Sequence, residues 1–288
     1  MLGINHVKSW LLIAGLAGLF VVVGAAVGGG RGATIALAIA FVFNFIMYWS
    51  SDRIAIAATR SKPVTEQEAP ELYAIVRELS AQAQAPMPRI YVSEMPQPNA
   101  FATGRSPSHA AVSVTRGILG ILDRRELRGV LAHELSHVLN RDILVSTIAA
   151  AIGSAFTYLA YIFMFAGGGR GSRDNPLGGF AFLFLWLLGP LAAGVIRMAV
   201  SRSREYQADE SGALLSQDPE ALASALEKME ASAKQRPVNV NPAQAHLFIV
   251  SPFGGRRGQG IAGLFSTHPP TAERVRRLRE IATRHPRA

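Results

Sequence analysis

Four apolar stretches run through this chain, and any fold it adopts has to accommodate them. They extend from Trp10 to Val27, Ala33 to Trp49, Ile143 to Ala166 and Gly179 to Val200. Each approaches the roughly 20 residues a helix needs to cross the hydrocarbon of a bilayer. In lipid, backbone N–H and C=O groups must find partners within the chain, so stretches of this kind are helical. The first two are joined by the turn Gly28-Gly29-Gly30-Arg31-Gly32, and the last two by residues 167–178, which suggests two helical hairpins. Lys8 ahead of the first stretch and small residues after it resemble a signal peptide. Its length and the second stretch close behind it favour a retained hairpin. Hydrophobic residues make up 49% of the chain and charged residues 17%, too apolar for a soluble enzyme of this size and too charged for a pure bundle in lipid. The expected organisation is a first hairpin (1–50), a polar segment (51–142), a second hairpin (143–200) and a second polar segment (201–288).

The basic residues orient this arrangement. The hairpin turns carry only Arg31, and Arg170 and Arg173 set against Asp174. Arg53, Arg60, Lys62, Arg124, Arg125, Arg128, Arg141, Arg202 and Arg204 lie near membrane ends on the opposite side, which places both polar segments in the cytoplasm. Anionic lipid beside these segments accounts for the formal charge of +9 without a nucleic-acid partner. Cysteine is absent, so a disulfide framework and a thiolate metal site are both excluded.

The first polar segment holds His133-Glu134-Leu135-Ser136-His137. Asp123 is a good helix N-cap, and Leu127, Val130, Leu131, Leu135, Val138 and Leu139 recur at helical spacing, so the motif lies on a helix. Side chains four apart on a helix stand one above the other, so His133 and His137 offer two imidazoles to one point, as tetrahedral Zn²⁺ requires. Glu134 then lies beside the position of an activated water, where a general base belongs. A solvated helix with Glu134 paired to a nearby arginine is the structural alternative.

A catalytic zinc takes three protein ligands. Asn140 and Ile143 occupy the positions where a metzincin would have Gly and His, so that class is excluded. After the fourth apolar stretch, Glu205 and Asp209 stand four apart on a helix that continues out of the membrane. Glu205 as third ligand, with Asp209 orienting a ligand histidine, fits the spacing and the chemistry. An exposed acidic pair balancing Arg202 and Arg204 fits the sequence as well.

Elsewhere, Thr65-Glu66-Gln67-Glu68 reads as a capping box for a helix reaching about Ala85, stopped by Pro86 and Pro88. Strands are expected at Arg89–Ser93, Asn99–Gly104 and Ala110–Val114, forming a small sheet beside the motif helix. Further helices are expected near Glu205–Ser216, Pro219–Gln235 and Pro270–Arg284, with a Pro- and Gly-rich stretch at 236–268. The fold class is therefore mainly α: a four-span helical membrane protein with a cytoplasmic, zincin-like α+β catalytic domain.

Three segments then carry a resemblance. His-Glu-Leu-Ser-His-Val-Leu-Asn-Arg-Asp from 133, Ser-Arg-Glu-Tyr-Gln-Ala-Asp from 203, and Ser-Thr-His-Pro-Pro-Thr-Ala-Glu-Arg from 266 together resemble the HtpX family of heat-shock membrane proteases, relatives of the CAAX prenyl proteases. Asn99-Ala100-Phe101-Ala102-Thr103-Gly104 is similar to a family segment where a substrate-facing edge strand would lie. The resemblance covers essentially the whole chain. It implies one Zn²⁺ per chain and endoproteolysis of membrane proteins, including misfolded ones, within quality control at the cytoplasmic membrane. It also implies that His268 reaches the site and steadies the oxyanion. Asn99 and Phe101 become candidates for a groove in which substrate adds as a strand, a plain structural strand being the alternative. Arg274 could pair with Asp209 or an active-site carboxylate, or be solvated, and Asn140 and Asp142 could support the motif helix or mark the membrane surface.

Three rivals remain. An intramembrane metalloprotease is disfavoured by Arg124, Arg125, Arg128, Arg141 and Asp142, charges costly in hydrocarbon. A zinc-binding membrane protein or transporter without hydrolysis has no use for Glu134, as does an inactive scaffold.

Overall fold

The computed structural model describes residues 52–140, 202–235, 248–250 and 269–284, with scattered positions between 14 and 50. The third and fourth apolar stretches, His268, Asp142 and most of 236–268 lie outside the described residues. Among the described residues, no helix is long and apolar enough to cross a membrane. The described positions from 33 to 50 are helical, and their large apolar side chains face outward, Phe41 with 73% and Ile35 with 61% of its surface exposed.

Four strands form one mixed sheet in the order β1-β2-β4-β3: β1 (Lys62–Pro63), β2 (Arg89–Ser93), β3 (Ala100–Gly104) and β4 (Ala110–Thr115). β1 pairs antiparallel with β2, β2 parallel with β4, and β3 antiparallel with β4, Ala102 standing opposite Val112. Among the described residues β3 is thus an edge strand. The expected strands agree with β2, β3 and β4 to within a residue at each end; the two-residue β1 was too short for periodicity to reveal.

The helices are α1 (Pro70–Gln82), the short α2 (Arg116–Leu119), α3 (Arg124–Leu139), α4 (Arg202–Ser216), α5 (Pro219–Gln235) and α6 (Thr271–Arg284). α1 starts four residues later than the capping-box reading places it. Glu68 does accept from the Thr65 amide (2.7 Å) and hydroxyl (2.8 Å), but the pair closes an isolated turn. Pro70 is the reason: a residue before proline is pushed out of the helical region, and Ala69 has φ −140° and ψ 59°. Proline then begins the helix, where its missing N–H costs nothing.

One core joins these pieces. Ile75, Val76 and Leu79 of α1, Ile90, Val112 and Val114 of the sheet, Val130 and Leu131 of α3, and Leu222, Leu226 and Leu278 of α5 and α6 are all buried together. The opposite face of the sheet is also buried, but with small polar residues. There Ser61 links the hydroxyls of Thr59 (2.7 Å) and Ser113 (2.8 Å), and Ser93 donates to the Thr59 carbonyl at 2.6 Å. These bonds fasten the segment that follows the second apolar stretch onto the sheet.

α3 is held at both ends of its first turn. The Asp123 carboxylate accepts from the Glu126 amide (2.9 Å), and Glu126 reaches back to the Asp123 amide (3.0 Å), a complete capping box. The buried Glu126 carboxylate also accepts from Ser224 and Lys228, each at 2.7 Å, tying the start of α3 to α5. Further along, glycines let helices approach closely. A Cβ at Gly129 would lie 3.0 Å from the Leu222 nitrogen, and one at Gly212 would lie 2.7 Å from both N and Cα of His133.

Candidate metal centre

α3 runs behind the edge strand with its motif facing α4. His133 and Glu134 are buried and His137 is partly buried, while Glu205 and Asp209 are buried on the facing turns of α4. Gly212 brings the backbones of α3 and α4 together at His133, so side chains on the preceding turns of α4 reach the two imidazoles. The acidic pair of α4 is therefore not a solvated face.

Three donor sets converge. His133 Nε2 lies 3.2 Å from His137 Nε2, Glu205 Oε1 lies 3.5 Å from His137 Nε2, and Glu205 Oε2 lies 3.9 Å from His133 Nε2. Ligands about 2.0–2.2 Å from a tetrahedral ion are separated by roughly 3.3–3.6 Å, so these spacings are close to those of such a site. His133, His137 and Glu205 form the His/Asp/Glu cluster suited to a metal among the described residues. Charge points the same way. The three carboxylates of Glu134, Glu205 and Asp209 are buried here, one more than the two buried guanidiniums of Arg204 and Arg274. A bound cation offsets that excess, and the residues present fit one.

Asp209 and Arg274 back the histidines. Asp209 Oδ1 is 3.0 Å from His133 Nδ1, in a contact bent off the ring N–H axis. A carboxylate here leaves Nε2 as the nitrogen with a free lone pair, the form a metal ligand needs. Arg274, only 1% exposed, grips Asp209 through Nε (2.8 Å) and Nη2 (2.7 Å), and its Nη1 donates to the Ile249 carbonyl at 3.1 Å. Burial pushes the Asp209 carboxyl up, but the Arg274 guanidinium outweighs it and holds the group down at about 2. Of the two sequence readings of Arg274, the structure adopts the pairing with Asp209. Arg277 stacks 3.8 Å above the Tyr206 ring, a second fastening of α6 to α4 next to Glu205.

Glu134, next to His133 on α3, reaches the sheet. One of its oxygens, Oε2, accepts from the backbone N–H of Ala102 on β3 at 2.9 Å. Burial pushes its carboxyl above the usual carboxylate range, only partly offset by the two histidines and the Ala102 amide. A carboxylate made more basic in this way is suited to taking and returning a proton.

The remaining candidates fall out differently. Asn99 is 2% exposed, and its Oδ1 accepts from the Ile249 amide at 3.1 Å. It thus ties the start of β3 to the residue whose carbonyl holds Arg274. Phe101 is buried on β3 itself. Asn140 caps the C-terminus of α3, its amide donating to the Ser136 carbonyl at 3.0 Å. Sequence reasoning missed the Ala102 amide, for which a backbone group leaves no signal. It also missed Gly212, which did leave one: an isolated glycine within a helical pattern points to close packing.

Comparison with known proteins agrees with this geometry. The family model described as peptidase family M48 matches residues 66–282. A protein called "Protease HtpX homolog" from Pelotomaculum thermopropionicum is 50% identical over 282 residues, covering 96% of this chain and 99% of its own. Relatives with the same description from Syntrophobacter fumaroxidans and Paraburkholderia phytofirmans are each 49% identical over 283 residues, covering 96% of this chain and 99% and 97% of their own. Among solved structures, the crystal structure of S. mikatae Ste24p is similar in fold, with a TM-score of 0.54 at 20% identity; the match covers 96% of this chain and spans 66% of that one.

Proposed function

We propose that this chain, which belongs to the metal-dependent peptidase family M48, is a membrane-bound zinc endoprotease that cleaves misfolded or regulated membrane proteins from the cytoplasmic side. The observation that carries the reading is the convergence of His133, His137 and Glu205 on one point, with a buried, basic carboxylate at Glu134 on the same helix. Zinc held by those three residues supplies polarisation of the scissile carbonyl and of the attacking water. Glu134 accepts the proton of that water and delivers it to the leaving amine. Asp209 fixes the ring of His133, and Arg274 keeps Asp209 ionised and in place. His268, from its place in the family-like segment, shares the charge of the oxyanion.

The exposed apolar side chains between 33 and 50 support the membrane assignment, since side chains such as Phe41 and Ile35 are costly to leave in water. The basic residues flanking the apolar stretches favour a cytoplasmic site and contact with anionic lipid. Unfolded polypeptide and membrane-protein segments are the substrates that fit this placement.

Two variants test the reading in detergent-purified protein. Glu134→Gln leaves the three ligands intact, so about one zinc per chain should remain while the rate of membrane-protein digestion falls by roughly 10²–10⁴-fold. Glu205→Ala should lose both zinc and activity. Wild-type protein that binds zinc yet cleaves neither casein nor a membrane protein would instead favour the non-hydrolytic metal-binding reading.

A further inference from the structure

The second apolar stretch meets the polar domain at one end of the sheet. β2 begins at Arg89 opposite Ala111, and β3 ends at Gly104 opposite Ala110, so the start of β2 and the β3–β4 loop (105–109) share that end. β2 finishes at Ser93 opposite Thr115, which puts Glu94 at the far end. Two contacts bring the apolar stretch to the near end. The Arg105 guanidinium lies 4.4 Å from the centre of the Trp49 ring, and Arg89 forms an ion pair with Asp52. Trp49 closes the apolar stretch and is 48% exposed, in line with the outward side chains of Phe41, Val42, Phe45 and Ile46. Ile54, two residues after Asp52, and Met87, two before Arg89, are exposed apolar side chains as well. Charge at this end is one-sided. Among the described residues 52–54, 85–89 and 104–109, the arginines are Arg53, Arg89 and Arg105, and the carboxylate is Asp52, which Arg89 takes. No carboxylate of the described residues pairs with Arg105. Ser108 and His109 at the tip of the loop are exposed.

We propose that this end of the sheet rests on the bilayer surface, with Arg105 binding the phosphate of an anionic phospholipid. A tryptophan closing an apolar helix is suited to headgroup level, where its ring meets apolar chains and its N–H meets water. The cation–π contact then holds Arg105 at the height of the lipid phosphates. Guanidinium N–H groups match phosphate oxygens, and Arg53 adds a second positive charge that draws the domain to an anionic surface. A soluble polyanion fits less well, because these arginines are bordered by exposed apolar side chains that a bilayer covers and a polyanion does not. The contact bears on substrate. Ala102, whose amide donates to Glu134, is two residues from the strand end at Gly104, about 7 Å along β3. Docking at the loop therefore keeps the Glu134 carboxylate in the membrane-proximal part of the domain, within reach of polypeptide just emerging from the bilayer.

This inference rests on the membrane part of the function reading, and one experiment separates the two. The chain has no cysteine, so each single-cysteine variant takes one nitroxide label. Phe41→Cys, Ser108→Cys and Glu94→Cys are made in the full-length protein and reconstituted in vesicles of phosphatidylcholine, alone or mixed equally with phosphatidylglycerol. Collisions with oxygen, which concentrates in lipid, and with a neutral nickel chelate, which stays in water, report where each label sits. The Phe41 label should lie in hydrocarbon and the Glu94 label in water, in both kinds of vesicle. The Ser108 label should be screened from the chelate roughly fivefold more in the mixed vesicles than in the neutral ones, as one arginine at an anionic surface implies. Arg105→Ala should abolish that difference and leave the Glu94 label unchanged. A Ser108 label as open to the chelate as Glu94, one screened equally in both vesicles, or a difference that survives Arg105→Ala overturns the proposal. So does inorganic phosphate that reproduces the screening in neutral vesicles, since the site is then one for a free anion. A Phe41 label found in water removes the membrane reading itself, a separate failure.

Discussion

Gly212→Ala is a one-methyl change at a distance from the chemistry that should disable the centre. The added Cβ would sit 2.7 Å from the backbone N and Cα of His133 and 3.1 Å from the carbonyl carbon of Ala132. Carbon atoms rest about 3.5–4.0 Å apart, so α4 has to move away from α3 by about 1 Å. All three neighbours are main-chain atoms of a buried helix and cannot swing aside. Overpacking of this kind costs roughly 1–3 kcal/mol, which a domain of this size should survive with a lowered midpoint. The larger effect falls on the site. Asp209 and Glu205 lie three and seven residues before Gly212 on the same helix, about 4.5 and 10.5 Å along its axis, so they shift with it. A 1 Å displacement opens the 3.0 Å contact of Asp209 with His133 and the 3.5 Å gap between Glu205 and His137. Metal–ligand bonds tolerate errors of about 0.2 Å, so zinc affinity should fall by 10²-fold or more, and activity by a similar factor. Competition against a graded series of chelators, with circular dichroism to confirm folding, measures the first effect. Gly120→Ala is the control, since its Cβ would rest at ordinary distances of 3.5 and 3.6 Å from Arg116 and Gly117. A folded Gly212→Ala protein with wild-type zinc affinity would refute the spacing argument.

Other perturbations probe the supports of the site. Burial raises the Glu126 carboxyl, but Lys228, Ser224 and the Asp123 amide outweigh it and hold the group below its ordinary value of 4.5. Its contribution to stability is therefore fully present above about pH 4.5 and is lost as pH falls through the lowered value. Glu126→Gln should flatten the acid limb of a urea-midpoint-against-pH curve, and an unchanged limb would contradict the assignment. Arg274→Lys cannot restore the two-pronged grip on Asp209 and should cost about 3–5 kcal/mol, as breaking a buried pair does, with zinc affinity falling too; a thermal midpoint equal to wild type would show that the pair is not load-sharing. Reporter fusions after residue 61 and at the C-terminus should both give a cytoplasmic signal, and one within 169–175 the opposite; a C-terminal signal from the far side would overturn the four-span topology.

The parts of this molecule legible in its sequence are those set by local chemistry. The motif helix announced itself through Asp123 and the spacing of its leucines, and the strands through runs bounded by proline, glycine and serine. Glu205 and Asp209 could be paired with the histidines only by arguing from what zinc chemistry needs. The sequence left open whether they face solvent, and packing decided it. Arg274 was illegible for a similar reason. It lies in an arginine-rich helix where Arg276, Arg277 and Arg279 are indeed exposed and paired along the surface, and only the helix rotation sends 274 inward. The false start of α1 at Thr65 came from reading a genuine capping interaction without weighing the proline five residues on. Backbone groups such as the Ala102 amide and the Ile249 carbonyl have no letter in the sequence at all.

The ligand triangle has a consequence for the protein's lifetime. Its corners come from two places in the chain, His137 and Glu205 being 68 positions apart. An ion that bridges them acts as a reversible cross-link, closing a long loop and fastening α4 to α3. Binding the folded state but not the open one, it adds about 4 kcal/mol at a free concentration a thousand times its Kd, and nothing when it is scarce. That increment is comparable with a large part of a typical domain's net stability. The supply of the ion would then govern how much of this protein persists, as well as how much of it is active. A cell short of the ion would clear the apoprotein by ordinary turnover, and abundance would follow metal status without a dedicated sensor.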